Sequence, residues 1–175
     1  MSRAVRFAPL ALLILIIVAL VWRLATPLDT NVHSTLGGKP VPAFTLAAAL
    51  PSKPSLSSAD LAAGRPRLVN IFASWCVPCI AEVKVLQGLK DRGILIDGID
   101  IRDRPDDLND FLARNGDPYQ RIGSDPQSKV QIALGSSGVP ESFIVDGKGF
   151  IRYQHIGPIE PSDVPMIMFK LEQAR

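Results

Sequence analysis

The sequence predicts an α/β domain, a mixed central sheet with helices on both faces, preceded by one N-terminal transmembrane helix. Three observations predict it. Residues 68–73 read Leu-Val-Asn-Ile-Phe-Ala, a continuous apolar run of the kind a strand buried on both faces shows. That run passes into Trp75-Cys76-Val77-Pro78-Cys79 and then into helical spacing at Ile80, Val83, Leu86 and Leu89. The segments beyond it continue in the order β-α-β-α-(short α)-β-β-α, which builds a sheet covered on both sides.

The first element is apolar. Phe7 to Trp22 carries no charge over sixteen residues. As a helix it rises ~24 Å, a little short of the ~30 Å hydrocarbon core of a bilayer. Arg6 and Arg23 can snorkel and Trp22 suits the interface, so spanning is feasible. The competing reading is a cleaved signal peptide, which needs a small-x-small site. Ala25 is preceded two positions back by Arg23, and Ala19-Leu20-Val21 lies inside the apolar run, so an uncleaved anchor is preferred. Arg3 and Arg6 precede the run and Arg23 follows it, a bias that leaves the N-terminus in the cytoplasm. The expected placement is a single pass through a bacterial inner membrane, with the C-terminal domain in the periplasm. Residues 1–24 are thus the cytoplasmic N-terminus and anchor, 25–38 a polar linker containing His33, and 39–175 the folded domain.

Within that domain, residues 41–46 suit an edge strand because they carry Pro42. Ser52 to Pro66 is rich in Ser, Pro and Gly and reads as loop with a turn of helix around Ala59–Leu61. The strand at 68–73 leads into a helix from Cys76 to Arg92. Ile94 to Ile101 is a second β-rich run. Pro105 to Arg114 is helical, with proline at its start and Asn115-Gly116 as its stop. Ser128 to Leu134 is a short helix. Ser142–Asp146 and Phe150–His155 are strands around Gly147-Lys148-Gly149, a hairpin signal. Pro161 to Ala174 is the last helix.

Composition narrows the chemistry. Of 19 basic residues three flank the apolar run, leaving 16 basic against 17 acidic residues from Leu24 onward. A near-neutral domain has no basic footprint for nucleic acid. The chain holds two cysteines, three apart, too few for a disulfide framework, so the domain folds on its core and the pair is left for chemistry. A zinc site needs four soft ligands, and only His33 and His155 are available to add to the cysteines. Covalent haem attachment needs His after the second Cys, where Ile80 stands. Two inert core cysteines are the remaining alternative, against which the strand-turn-helix context argues.

A C-x-x-C at a strand-to-helix junction is the geometry of a dithiol redox site. Cys76 lies at the helix start, where unpaired N–H groups and the macrodipole favour a thiolate, and is the candidate nucleophile. Cys79, one turn on, is the candidate resolving thiol. Glu82 is either a solvated acid in the helix's first turns or a carboxylate beside the sulfurs, where it raises the thiol pKa and can take a proton. Trp75 either shields the disulfide from water or packs in the core. Pro140, ahead of a buried strand, belongs to an ordinary trans loop or to a cis turn. Glu141 is by the same reading a surface acid, and His155 an edge side chain rather than a catalytic base.

At these residues the chain resembles the thioredoxin superfamily and, more narrowly, the membrane-anchored cytochrome c maturation thioredoxins of the CcmG/DsbE family. The likeness runs from about Gly38 to Arg175. Residues 38–44 resemble that family's opening strand, Trp75-Cys76-Val77-Pro78-Cys79 with Ala81-Glu82 its active-site helix, and residues 98–103 its central insert. Gly138-Val139-Pro140-Glu141 resembles its proline loop, and residues 146–153 its terminal hairpin. Ile80, Ser142 and Ile101-Arg102 depart from its usual residues. The resemblance implies a thioredoxin-like fold, a cis bond before Pro140, and Glu82 and Glu141 both near the dithiol.

No cation stands between the cysteines, since the intervening pair is Val77-Pro78. With nearby carboxylates this favours a stable disulfide and hence a reductant. The expected activity is protein-disulfide reduction by the redox-active pair Cys76–Cys79, with no other cofactor and no metal. A reductant in an oxidising compartment must be recharged by an integral-membrane dithiol donor. The resemblance implies the substrate: the haem-binding cysteines of apocytochrome c, reached directly or through a haem-ligation thiol protein. The alternatives are a thioredoxin-fold copper-binding chaperone, since thiolates suit Cu(I), and a general periplasmic disulfide reductase.

Overall fold

In the computed structural model, which describes residues 12–22 and 37–175, the apolar run after Pro66 is the middle strand of a five-stranded sheet. Strand β3 (Arg67–Phe72) is buried along its whole length, and so is β4 (Ile96–Ile101) beside it. The sheet order is β5-β4-β3-β6-β7, where β5 is Arg121–Asp125, β6 Glu141–Val145 and β7 Ile151–Ile156. Strands β3, β4 and β5 are parallel; β6 runs antiparallel to β3, and β7 to β6. Two residues each of β1 (Thr45–Leu46) and β2 (Leu56–Ser57) form a separate antiparallel pair.

The helices begin where the chain supplies caps. Helix α2 (Ser58–Leu61) opens on a capping box, in which Ser57 and Asp60 each bond the other's backbone N–H. Helix α3 (Val77–Asp91) is capped by Cys76, and Pro78 in its first turn sacrifices no helical N–H. Helix α4 (Pro105–Asn115) starts on proline, carries Asp106 and Asp107 in its first turn and Arg114 in its last, and ends at Gly116 with φ of 106°. Helices α5 (Lys129–Ala133) and α6 (Val164–Gln173) complete the domain.

Strand registers assign the faces. Asn70 lies opposite Gly98 and Ser142, while Ile71 lies opposite Ile99 and Glu141. On the Asn70 face, the Phe72 ring stacks on Tyr119 with centroids 4.5 Å apart and lies 5.8 Å from Phe111 of α4. A Cβ on Gly98 would stand 2.7 Å from the Phe72 ring, so only glycine admits that stack. On the opposite face, Gly123 of β5 passes under Leu46 and Leu56, which a Cβ would meet at 2.8–3.0 Å. Asp125 on the same side accepts the N–H groups of Lys129, Val130 and Gln131, fixing α5 there. Helices therefore cover both faces of a mixed sheet, as the element order implied.

Three expectations change. The edge strand expected over 41–46 is ordered as strand only at Thr45–Leu46, because Phe44 and Ser58 exchange loop hydrogen bonds there. The stretch 52–66 contains β2 as well as the expected helical turn. Strand β5 is an addition: Arg-Ile-Gly-Ser-Asp lacks an apolar alternation and is held by β4 and by a bridge from Ala48 to Gly123 rather than by its own composition. Residues 12–22 form helix α1, whose side chains are exposed. No helix among the described residues is long and apolar enough to cross a membrane. The ends of the expected anchor, residues 25–36 of the expected linker and His33 lie outside the described residues.

Candidate active site

The site is built on the turn between β3 and α3. Asp103, in the loop after β4, takes the Ser74 N–H at 2.6 Å and the Ser74 hydroxyl at 2.8 Å, and so ties down the segment that carries Cys76. Cys76 has extended backbone angles and its Sγ accepts the Cys79 N–H at 3.2 Å, which makes the sulfur the cap of α3. The two cysteines form a disulfide with Cα atoms 5.2 Å apart. Cys76 is 4% exposed and Cys79 1%, so the first sulfur is the more accessible. Trp75, Val77 and Ile80 around the pair are exposed, which sets Trp75 outside the core and leaves an apolar collar at the sulfurs.

Glu82 is the opposite of a solvated acid. It lies one turn beyond Cys79 in the buried stripe of α3 and is 1% exposed. Oε1 accepts from Asn70 Nδ2 at 2.9 Å and Oε2 from the Ile159 N–H at 3.0 Å. Burial pushes its pKa up to about 7, against the opposing pull of those two donors. A carboxyl poised near neutrality one turn along α3 from Cys79 has the proton affinity of a candidate general base.

The Val139–Pro140 bond is cis. Glu141 follows it at the start of β6 and is buried at 1% exposure, not a surface acid. Its Oε2 accepts from the Ser137 N–H at 2.9 Å and its Oε1 from Gln154 at 2.8 Å. Because Glu141 shares the Ile71 face while Ser142 and Asn70 face Glu82, the two carboxylates sit on opposite faces of the sheet. The second acid on the Glu82 face is Asp100, which burial and its hydrogen bond to Asp103 push up to about 9. His155 sits beside the Pro158 carbonyl, with the Asp163 carboxylate 3.7 Å away.

Asn70, Tyr119, Asp100, Asp103 and Ile159 hold the site and were not singled out from sequence. Asn70 alone carried a local signal, as a polar residue inside an apolar strand; Asp103, Tyr119 and Ile159 make their contacts across 29, 49 and 77 residues of chain, the last through a backbone N–H. Among the described residues no group of three His, Cys, Asp or Glu side chains is placed to hold a metal ion.

The sequence profile of the Redoxin family matches residues 36–167. The chain belongs to the Redoxin family. Within it, the chain is 45% identical over 132 residues to the thiol:disulfide interchange protein HelX of Rhodobacter capsulatus, spanning 75% of this chain and 74% of that protein. It is 37% identical to the thiol:disulfide interchange protein DsbE of Escherichia coli K12, over 92% of this chain and 89% of that one. A crystal structure of a DsbE protein from Chlorobium tepidum superposes with a TM-score of 0.64 at 24% identity, covering 79% of this chain and 96% of its own, and shows the same fold. Thiol–disulfide oxidoreduction at the Cys76–Cys79 pair is the activity of this Redoxin-family domain.

Proposed function

We propose that the protein is a periplasmic reductant of cytochrome c biogenesis, tethered to the bacterial inner membrane by its N-terminal apolar segment, that keeps the haem-binding cysteines of apocytochrome c reduced. The observation that carries the direction is Glu82: a buried carboxyl near the dithiol, with Val77-Pro78 and no cation between the sulfurs, opposes the thiolate and favours the disulfide. A dithiol whose disulfide is stable gives its electrons away.

The reaction starts from the dithiol. The Cys76 thiolate attacks one sulfur of a substrate disulfide; that S–S bond breaks, a mixed disulfide forms, and the first substrate thiolate leaves and is protonated from solvent. The Cys79 thiol then gives its proton to Glu82 as its sulfur attacks Cys76 Sγ. The mixed disulfide breaks, the second substrate thiolate leaves, and two electrons have passed from the pair to the substrate. An integral-membrane dithiol donor reverses the exchange and recharges the pair. Tethering raises the effective concentration of both partners. Trp75, Val77 and Ile80 offer the apolar surface on which an unfolded cysteine-containing segment can rest.

The test is trapping in the full chain. Cys79→Ser removes the resolving sulfur, so a mixed disulfide through Cys76 accumulates and releases apocytochrome c, or its thiol carrier, on reduction. The adduct is absent in Cys76→Ser. No adduct with either partner, or a reduction potential near the ~ −120 mV of a strong oxidant, overturns the reading.

A further inference from the structure

Tyr119 lies 49 residues from Asn70 in the chain, yet its hydroxyl donates to Asn70 Oδ1 at 2.8 Å. Asn70 in turn donates from Nδ2 to Glu82 Oε1 at 2.9 Å and to Ser142 Oγ at 3.0 Å. All four side chains are buried, at 0 to 2% exposure. We propose that Tyr119 is a positioning residue for the Glu82 carboxyl: its hydroxyl, acting through Asn70, decides which end of the amide faces the acid. The proposal rests on the reading of Glu82 as the proton acceptor.

An amide side chain carries a donor end and an acceptor end of nearly the same shape. With Nδ2 toward Glu82 the amide stabilises the carboxylate; with Oδ1 toward it, the amide repels the carboxylate and accepts from the neutral acid. Neither neighbour of the donor end opposes a flip. Ser142 Oγ can donate as readily as accept, and Glu82 can be protonated. Tyr119 is the contact that resists, because a buried neutral phenol here presents its hydrogen to Asn70 and needs an acceptor. Burial first, then the charges of Glu82, Asp117 and Asp100, hold that phenol well above its ordinary pKa, so it stays a donor throughout the working range.

Tyr119 is itself anchored from several sides. Its ring stacks on Phe72. Its N–H donates to Asp117 Oδ1 at 3.1 Å and its carbonyl accepts from Lys53 Nζ at 2.6 Å. Lys53 also pairs with the Asp117 carboxylate. The remaining donor to Glu82, the Ile159 N–H, comes from the segment before α6 and is independent of Tyr119. Other charged groups near this chain of contacts are Asp100 from β4, Asp117 from the loop before β5, and its partner Lys53 from the loop between β1 and β2.

The experiment follows the Glu82 carboxyl directly, by carbon-13 NMR titration of the oxidised full-length protein, with Glu82→Gln assigning the signal. Tyr119→Phe keeps the stacked ring and removes only the hydroxyl. The midpoint of Glu82 should rise by about half a unit or more, because the flipped amide favours the neutral acid. Phe111→Leu, which alters the same aromatic stack without touching the hydroxyl, should lower the melting temperature and leave the midpoint in place. An unchanged midpoint in Tyr119→Phe overturns the proposal. So does an equal shift in Phe111→Leu, which would make the effect one of packing. The proton-acceptor reading is checked separately: if Glu82→Gln leaves the rate of mixed-disulfide resolution unchanged, that reading fails whatever the NMR midpoint does in Tyr119→Phe.

Discussion

The Glu82 carboxylate and the Ile159 N–H meet at 3.0 Å across 77 residues of chain, binding the helix that carries the sulfurs to the segment that leads into α6. The carboxylate is held from one side by a side chain and from the other by backbone, and neither donor offers an acceptor for its proton.

Glu82 should therefore tax stability as pH rises. Its carboxyl ionises at about 7 in the folded chain and near 4.5 when free. Below about 4.5 it is protonated in both states and contributes nothing. Between about 4.5 and 7 the unfolded chain ionises first, so stability falls; the fall tapers through the folded pKa and the loss is constant above about 8. Glu82→Gln should remove that share of the slope, on the order of a few kcal/mol between pH 4 and 8. Urea unfolding of the oxidised protein at several pH values measures it. A slope identical to that of the unmodified chain would contradict the burial of an ionisable acid here.

Asp100 acts in a wider window. It ionises at about 9 in the fold, its Oδ1 is buried without a partner among the described residues, and Asp103 is its hydrogen-bond neighbour. Of these two acids, only Asp100 still titrates above about pH 8, and up to its folded pKa each pH unit costs up to ~1.4 kcal/mol. Asp100→Asn keeps a donor toward Asp103 and should flatten the fall in stability between pH 7 and 9. A parallel set of unfolding curves checks this. A fall in stability over that range equal to the unmodified chain's would place the titration elsewhere.

Gly98→Ala should destabilise by about 1–3 kcal/mol. The new methyl meets the Phe72 ring at 2.7 Å and Tyr119 at 3.1 Å, and Phe72 cannot withdraw because Tyr119 and Phe111 flank it. Thermal unfolding gives the loss. The same variant should disturb the exchange kinetics, because Tyr119 leads to Asn70 and Glu82. A neutral Gly98→Ala would mean that the aromatic stack yields more easily than its geometry implies.

Much of the fold was legible because its strongest signals are local. Leu68–Ala73 is continuous and apolar, α3 has its cap and its spacing, and α4 is bracketed by Pro105 and Gly116. Strand β5 was not legible: its five residues include Arg121, Gly123, Ser124 and Asp125, and its glycine answers Leu46 and Leu56, more than 65 residues earlier. The cysteines were legible as a pair. The surroundings of Glu82 were not, because Tyr119, Ser142 and Ile159 reach it only once the sheet is assembled, and a backbone N–H leaves no mark in a sequence. Glu82 and Glu141 end on opposite faces for a period-two reason: neighbours 141 and 142 point to opposite sides of a strand, and it is Ser142 that faces Asn70.

The Asp103–Ser74 contacts carry a mechanical implication. A protein that grips the loop beyond β4 also pulls on the short stretch leading to the attacking sulfur, since two hydrogen bonds rivet them together. Recognition and reactivity then share a lever, and sequence drift in that loop can retune how readily the sulfur is presented without repacking the interior.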